Sequence, residues 1–285
     1  MAKLTAKKLE SYRQETFRIK PGLRVKTLAE AIDFVNQRGF VYFWPIKDVD
    51  FPSLWAAVAG DRPVAEAHDD PEHVTWGWKD DRLGSESWYY AKVLRKRATM
   101  IAMDMAPHFY ALSENYGSPE HDYLTLYEQG RMTQESRAVY EALLDGGPLD
   151  TISMRRMTHL NSRSNEYRFN RSLVELQSDF KILPVGVSQA GGWRYAFIYD
   201  LVHRHYPEIP RQARSIQASL ARQTLLERYF RSVGAARLAD ITKIFGWRAP
   251  ETRAAIKTLV EARFLRQGLA RADQDGEWIA LAELA

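Results

Sequence analysis

The sequence predicts an α+β fold that is mostly α. Apolar residues recur every three or four positions along several segments, which is the period of a helix with one buried face. Short runs rich in β-branched and aromatic residues lie between these segments, and turn residues pair them as in β-hairpins. One order of elements occurs twice in residues 131–285. A chain of 285 residues with 45% hydrophobic content has enough apolar material for two or three compact units.

The N-terminal segment predicts two helices and a strand. Residues 5–17 form the first helix, and TLAE at residues 27–30 is a capping-box pattern in which the Glu side chain reaches back towards the helix start. Gly39 can end this second helix. The stretch RGFVYFWPI at residues 38–46 then favours a strand by its β-branched and aromatic content. Residues 1–50 therefore predict a degenerate copy of the unit that recurs later.

Residues 51–130 are less regular and predict a bridging or inserted segment. The stretch DDPEHVTWGWKDD at residues 69–81 has the composition of a loop, and WYYAKVL at residues 88–94 has that of a strand. A helix over residues 107–115 and another that starts at Pro119, with Ser118 as its cap, complete the segment, and the second ends at Gly130.

Residues 131–207 predict the first clear copy of the repeated unit. A helix over residues 134–144 precedes Asp150, which can cap a short helix. A longer helix over residues 166–179 has an apolar stripe at helical spacing. Two strand-like runs, ILPVGVS and WRYAFIY, follow with a Gly-containing turn between them.

Residues 208–285 repeat the same order. A helix over residues 215–233 ends at Gly234, a short helix stops at Gly246, and Pro250 suits the start of a third helix. The runs FLRQGL and EWIAL predict a closing hairpin. Helix, short helix, longer helix and hairpin is the winged-helix order, so the sequence predicts tandem winged-helix units, the first of them degenerate.

The composition excludes several classes of site. Cysteine is absent, which rules out disulfides, thiolate zinc sites and a cysteine nucleophile. No Walker A, Rossmann glycine, HExxH or GxSxG pattern occurs, and the His- and Asp-rich residues 68–73 match no defined metal motif. No apolar run approaches the ~18 residues of a membrane helix. We therefore expect a cytoplasmic protein, favour a monomer, and expect no cofactor, metal or membrane partner.

Positive charge is unevenly distributed along the chain. The net charge is +4, and arginines concentrate in residues 146–231, whereas residues 1–130 are slightly acidic. Such a surface attracts nucleic-acid phosphates, although arginines also commonly solvate an exposed helix face. In winged-helix proteins the third helix enters the major groove. We therefore predict double-stranded DNA, possibly damaged, as the partner. The predicted contacts are Arg163, Asn165, Arg168, Asn170 and Arg171 at the third helix, and Gln189, Trp193, Arg194 and Tyr195 at the hairpin.

The equivalent helix of the last unit has a different charge pattern. Arg253, Lys257 and Arg263 interleave with Glu251 and Glu261. This mixture is typical of a solvated or packing face. Because winged helices also bind proteins, the last unit has a structural or protein-binding role in this interpretation.

Most aromatic residues of the N-terminal half fit a core. Trp76 and Trp78 differ, since they flank a glycine in a polar context. Exposed aromatic rings can stack on bases or wedge a duplex apart. We predict that Trp76 and Trp78 line a pocket together with Tyr42 and Trp44.

Several stretches resemble the AlkZ/YcaQ-type winged-helix DNA glycosylases, which unhook interstrand crosslinks and alkylated bases. AIDFVNQRGFVYF at residues 31–43 is similar to the family's helix and its "LGFVQID"-like strand. GPLDTISM at residues 147–154 resembles the turn into the second winged unit, and WRYAFIYDLVHRHYP at residues 193–207 resembles the wing strand and its exit. LLERYFRSVGAARLADI at residues 225–241 is similar to the third unit. The resemblance also leads us to expect that the family's C-terminal β-barrel is missing.

The sequence departs from the family at its catalytic signature. The resemblance implies a Gln, an aliphatic residue and then Asp or Gln after "GFV", and the matching positions hold Tyr42, Phe43 and Trp44. Phe and Trp cannot act as a general base. Strand alternation predicts that Tyr42 and Trp44 share one face and line a pocket that no longer performs the family's hydrolysis.

Three hypotheses about function follow. The first is a DNA-binding relative without the family's glycosylase chemistry. The second is an active DNA glycosylase that uses other polar residues. The third is a winged-helix scaffold that binds protein and no nucleic acid. The acidic candidates for the second are Asp48, Asp50, Asp69, Asp70 and Asp104.

Overall fold

The computed structural model describes residues 4–67, 69–191, 194–271 and 273–285. In chain order, its helices are α1 (Ala6–Thr16), α2 (Leu28–Arg38), α3 (Leu54–Ala59), α4 (Val74–Asp81), α5 (Ala106–Tyr110), α6 (Pro119–Glu128), α7 (Gln134–Gly146), α8 (Thr151–Met157), α9 (Glu166–Ser178), α10 (Val202–His205), α11 (Glu208–Ala213), α12 (Ala218–Val233), α13 (Leu238–Phe245) and α14 (Ala249–Glu261). The strands are β1 (Phe40–Tyr42), β2 (Tyr89–Lys92), β3 (Ala98–Ile101), β4 (Leu149–Asp150), β5 (Ile182–Ser188), β6 (Ala196–Leu201), β7 (Ala235–Ala236), β8 (Leu265–Leu269) and β9 (Trp278–Leu281).

The strands form three antiparallel sheets that share one topology. Their orders are β1-β3-β2, β4-β6-β5 and β7-β9-β8, so in each sheet the strand that comes last in the chain lies in the centre. In the first sheet Tyr42 lies opposite Thr99, and β2 and β3 come from the segment predicted to be an insert. The N-terminal strand is thus completed by residues almost sixty positions later.

The predicted α+β, mostly helical class is confirmed. The predicted order of helix, short helix, longer helix and hairpin occurs in residues 134–201 and again in residues 218–281. A two-residue strand before each short helix, β4 and β7, was not predicted. Two of the helix caps predicted from sequence form, whereas Ser118 makes no side-chain cap hydrogen bond at the start of α6. Asp150 accepts hydrogen bonds from the amides of Ile152 and Ser153 at 2.9 Å. Thr27 accepts from the amide of Glu30 at 3.2 Å.

One predicted loop is a helix. Residues 69–81, which contain Trp76 and Trp78, form a 3₁₀ turn at Pro71–His73 followed directly by α4. The side chain of Asp70 accepts from the amide of Glu72 at 3.0 Å and caps this turn. The loop prediction was therefore wrong. It followed from the polar and glycine content, whereas Asp70 and Pro71 are typical of a helix start.

The buried residues form two apolar clusters. The smaller one lies within the middle unit, between α7, α9 and the second sheet. It includes Leu173 and Leu176 of the predicted α9 stripe. The larger one contains residues from both ends of the chain and is built around α12, which packs against α1, α2, α5 and α14.

Phe109 of α5 lies where the three sheets and their helices meet. Its ring centroid is 5.2 Å from that of Phe40 on β1, edge to face. It stacks at 6.0 Å on Phe180, which leads into β5, and at 6.5 Å on Phe245 at the end of α13. Phe180 adopts a φ of +54°, which is rare for a bulky residue, so the packing fixes a strained backbone there.

Among the described residues, none of the helices combines the length and apolar character needed to cross a bilayer.

Lys181 is a buried cation beside this junction. Its side chain is 2% exposed, and Nζ donates to the carbonyl oxygen of Glu114 at 3.0 Å and to Asn115 Oδ1 at 2.9 Å. Burial lowers the pKa of Lys181 to about 8, against the opposing charges of Asp179 and Asp122. The folded protein therefore releases this proton at lower pH than the unfolded chain does.

This difference predicts a pH-dependent stability. Between pH 8 and the ordinary lysine pKa of 10.5 the unfolded chain binds more protons at Lys181, so the contribution of Lys181 to stability rises with pH in that window. We expect the free energy of unfolding of the natural protein, relative to that of Lys181→Met, to increase by about 2 kcal/mol between about pH 7.5 and 9.5. Urea unfolding at both pH values measures this, and equal pH slopes for the two proteins would contradict it.

Candidate nucleic-acid interface and aromatic cluster

The exposed face of α9 carries arginine and tyrosine side chains. Phe169 is fully buried and marks the face of α9 that packs on the core. The other face projects into solvent. The side chains of Arg168 and Arg171 are 66% and 57% exposed, and Tyr167 is 73% exposed. Arg163 is exposed in the 3₁₀ turn that precedes α9, where Asn165 is half-buried.

Arg168 and Arg171 each form an ion pair with a glutamate, and both pairs are weak. Arg168 lies 3.3 Å from Glu135, and Arg171 lies 2.7 Å from Glu175 one turn along the same helix. Exposed ion pairs of this kind contribute only about 0–1 kcal/mol, so a phosphate can replace the carboxylate at small cost. Asn170 differs, since its Oδ1 accepts from Arg155 of α8 at 3.3 Å.

Tyr167 and Arg155 were not predicted as part of this surface. Tyr167 is the most exposed large apolar side chain of the described residues. The sequence signal was its position outside the apolar stripe of α9, between Glu166 and Arg168. Arg155 stacks on Phe169 at 4.6 Å and joins α8 to the same face.

The residues predicted to contact DNA from the hairpin do not share one environment. Trp193 lies outside the described residues. Arg194 is exposed with a φ of +50°, at the turn between β5 and β6. Tyr195 does not project from the tip, because its hydroxyl donates to Asp80 Oδ1 at 2.9 Å and its ring packs 5.5 Å from Phe197.

Lys79 of α4 lies at the centre of an aromatic cluster, formed by Phe43, Trp44, Trp76, Tyr90, Tyr195 and Phe197. Its side chain is 2% exposed. Nζ lies 4.5 Å from the Trp76 ring centroid and 4.7 Å from that of Phe197. Three more rings, those of Phe43, Tyr90 and Tyr195, are each 5.7 Å away.

The charge of Lys79 is balanced by one carboxylate. Nζ is 2.8 Å from Asp80 Oδ1 and donates to the Tyr195 hydroxyl at 3.0 Å. Burial lowers the pKa of Lys79, and the hydrogen bond and charge of Asp80 oppose that shift. Burial and the hydrogen bond to Asp80 raise the pKa of Tyr195. Lys79, Asp80 and Tyr195 therefore form one polar unit inside an apolar cluster.

The prediction that Tyr42 and Trp44 share one face is wrong. The strand ends at Tyr42, so alternation does not extend to Trp44. Tyr42 is 1% exposed, packs edge to face on Phe51 at 5.2 Å, and its hydroxyl has no hydrogen-bond partner within the described part of the chain. Phe43 turns the other way, with its ring 5.3 Å from that of Trp44.

Trp44 and Trp76 lie together at the surface of the aromatic cluster. Their ring centroids are 5.5 Å apart, and the two side chains are 37% and 38% exposed. They border a hollow of about 380 Å³, lined by Trp44, Val64, Ala65, Glu66, His73 and Trp76. Trp78 does not line it, since its half-buried ring packs on the larger apolar cluster.

Three of the five acidic residues proposed as alternatives are paired with arginines. Asp50 is 2.6 Å from Arg13, and Asp104 is 3.2 Å from Arg228. Asp70 makes a bidentate pair with Arg62 at 2.7 and 3.0 Å, while Asp48 and Asp69 are exposed. Two carboxylates that were not predicted lie at the aromatic cluster: Glu66 lines the hollow beside Trp44 and Trp76, and Asp80 contacts Lys79 and Tyr195. Its partner Tyr195 is distant in sequence, so no local pattern pointed to it.

A model of the AlkZ-related family matches residues 25–246, which is more than half of the chain and includes both α9 and the aromatic cluster. The chain belongs to the AlkZ-related family. The resemblance drawn from the sequence is therefore confirmed.

The AlkZ-like fold is also found among solved structures. The Streptomyces sahachiroi DNA glycosylase AlkZ is similar with a TM-score of 0.61 and 12% identity, over 99% of this chain and 71% of that one. At this identity the similarity shows the fold alone. No curated protein matches the sequence.

The polar unit of the aromatic cluster predicts an asymmetric effect of two substitutions. Asp80→Asn leaves the buried Lys79 ammonium without its carboxylate, and removal of one partner of a buried pair costs about 3–5 kcal/mol. Lys79→Met leaves Asp80, which is 19% exposed and can be hydrated, so its cost is smaller. Urea unfolding at neutral pH compares the two variants. Equal losses, or a larger loss for Lys79→Met, would contradict this account.

Proposed function

We propose that this AlkZ-related protein binds double-stranded DNA through the exposed face of α9 and does not perform the family's glycosylase chemistry with residues 42–44. The observation that carries the proposal is the arrangement on α9. Arg168, Arg171 and Tyr167 lie opposite the buried stripe, with acidic partners that a phosphate can replace. Arginine suits both phosphates and guanine edges.

The loss of the family's chemistry is supported by the three motif positions. Phe43 and Trp44 have no group that accepts a proton. Tyr42 is buried against Phe51, and burial raises the pKa of its hydroxyl, so the hydroxyl stays protonated and cannot act as a base. No water-activating group is therefore supplied by positions 42–44.

The hollow beside Trp44 and Trp76 supports a preference for DNA with an unstacked base. A planar base gains stacking energy of about 1–3 kcal/mol on an aromatic ring. The volume of about 380 Å³ accommodates one base. Damaged or mismatched sites release a base most readily, so this preference would favour damaged duplexes.

Reversal of two charges on α9 tests DNA binding. We expect Arg168→Glu with Arg171→Glu to weaken duplex binding at least about tenfold, and the natural protein to lose affinity between about 50 and 200 mM salt as counterions are no longer released favourably. Fluorescence anisotropy with a labelled duplex measures both.

Arg253→Glu with Lys257→Glu is the matched control. It makes the same charge change on exposed positions of α14, the equivalent helix of the last unit. We expect its affinity to stay within about threefold of the natural protein. Absence of duplex binding at low salt would reject the proposal and favour the protein-binding scaffold.

An active glycosylase is a second candidate, and one observation favours it. Asp80 places a partly exposed carboxylate at the aromatic cluster, 2.9 Å from the Tyr195 hydroxyl. Asp80 does not line the hollow beside Trp44 and Trp76, whose lining carboxylate is that of Glu66. A carboxylate at the aromatic cluster can stabilise a cationic sugar or orient water as the base leaves.

Incubation with an alkylated or crosslinked duplex, followed by alkaline cleavage of abasic sites, tests this second candidate. We expect no product at stoichiometric protein if the first proposal holds. If product appears, the double variant Lys79→Met/Asp80→Asn identifies its source, because it removes the carboxylate without leaving an unpaired buried ammonium. Loss of product in this variant assigns the chemistry to Asp80, and unchanged product places it elsewhere.

A further inference from the structure

The turn between β2 and β3 has an unusual backbone. We name residues 93–97 the basic loop. Arg95 has φ +52° and ψ +28°, and Lys96 has φ +57°. This left-handed region favours Gly and Asn, and two consecutive long basic side chains there are uncommon. Strained backbone of this kind concentrates at functional sites, where the surrounding structure holds it in place.

The basic loop is held from its apolar side. Leu94 is 3% exposed in the larger apolar cluster, and its amide donates to Thr99 Oγ1 at 3.2 Å. The same hydroxyl donates to the carbonyl oxygen of Arg97 at 2.8 Å. The buried leucine and this hydrogen-bonded closure leave the side chains of Lys96 and Arg97 exposed.

The basic loop borders two hollows that are lined by acidic and basic side chains, with a small excess of basic ones in each. Lys96 borders a hollow of about 300 Å³ together with Arg131 and Arg171, the α9 residue of the proposed DNA interface. On the other side, Arg95 borders a hollow of about 290 Å³ with Lys243 of α13. The loop packs against both α9 and α13. Positive charge therefore continues from α9 towards the last unit.

Lys96 and Arg97 of the basic loop lack the ion pairs that neighbouring arginines form. Arg171 pairs with Glu175, and Arg131 with Glu114. Within the ranges that the structure covers, neither Lys96 nor Arg97 has a carboxylate partner. A fixed pair of exposed, unpaired cations beside a basic helix is suited to an external polyanion.

We propose that the basic loop is a second phosphate-binding element, which contacts the DNA backbone beyond the part covered by α9. This inference rests on the proposed duplex binding. Lys96 and Arg97 contact phosphates, while Leu94 and Thr99 position the loop. The contact is independent of base sequence, because phosphates carry no sequence information directly.

Lys96→Glu with Arg97→Glu tests the loop by duplex titration at several salt concentrations. We expect weaker binding of every duplex sequence to a similar extent, and a slope of log K against log salt that is less steep by about 2, close to 1 for each lost phosphate contact. Lys7→Glu with Lys257→Glu, at exposed positions of α1 and α14, makes the same charge change and should leave the slope unchanged.

Two single variants separate charge from backbone shape. Lys96→Gln and Lys96→Gly both remove one cation, but only Gly relieves the strain of the positive φ. Equal reductions of the salt slope by about 1 support phosphate contact. A loss with Lys96→Gly that Lys96→Gln does not show would overturn it in favour of a purely structural loop.

The outcomes distinguish this inference from the proposed function. If the α9 variant loses duplex binding and the Lys96/Arg97 variant binds like the natural protein, the basic loop is not a phosphate-binding element and the α9 interface stands. If neither variant changes binding, both proposals fail. If both variants weaken binding and each lowers the salt slope, the two elements contact the same duplex.

Discussion

The relative placement of the candidate surfaces depends on the aromatic junction at Phe109. One ring contacts Phe40 from the first sheet, Phe180 from the middle unit and Phe245 from the last. Protein interiors are packed as densely as organic crystals, so such a junction leaves no room for one unit to slide against another. The face of α9, the aromatic cluster and the basic loop therefore keep a fixed geometry relative to one another.

The aromatic cluster contains a buried polar unit, formed by Lys79, Asp80 and Tyr195, in a place where apolar side chains could also pack. The ion pair of Lys79 with Asp80 joins α4 to the hairpin through Tyr195. Apolar residues of the same volume often stabilise a fold as well or better, so such pairs are weak evidence for stability and better evidence for a specified arrangement. The cluster also lies beside β1, where the sequence resemblance predicts the family's catalytic positions and where this chain carries aromatic rings.

Local patterns predicted much of the fold, and contacts between distant residues account for what they missed. The stripe of α9 and the cap at Asp150 depend on neighbours within a few positions, so the sequence alone revealed them. The orientation of Tyr42 depends on its packing against Phe51 and its pairing with Thr99, which are distant in sequence. That of Trp44 depends on the end of β1 at Tyr42. The pairing of Asp80 with Tyr195 spans 115 positions. The basic character of the exposed face of α9 was also predictable, because it depends on the positions of the arginines relative to the apolar stripe.

The order of strands in the sheets has a consequence for biosynthesis. In each sheet the central strand follows its two neighbours in the chain, so neither edge strand has a partner until the last strand has left the ribosome. The first edge, at Phe40–Tyr42, waits for residues 98–101, and the amide of Leu4 waits for the carbonyl oxygen of Ala270. Contacts so distant in sequence form slowly and leave apolar strands exposed meanwhile. Each sheet can therefore close only when its last strand has been synthesised, and the third sheet, with the contact of Leu4, closes last.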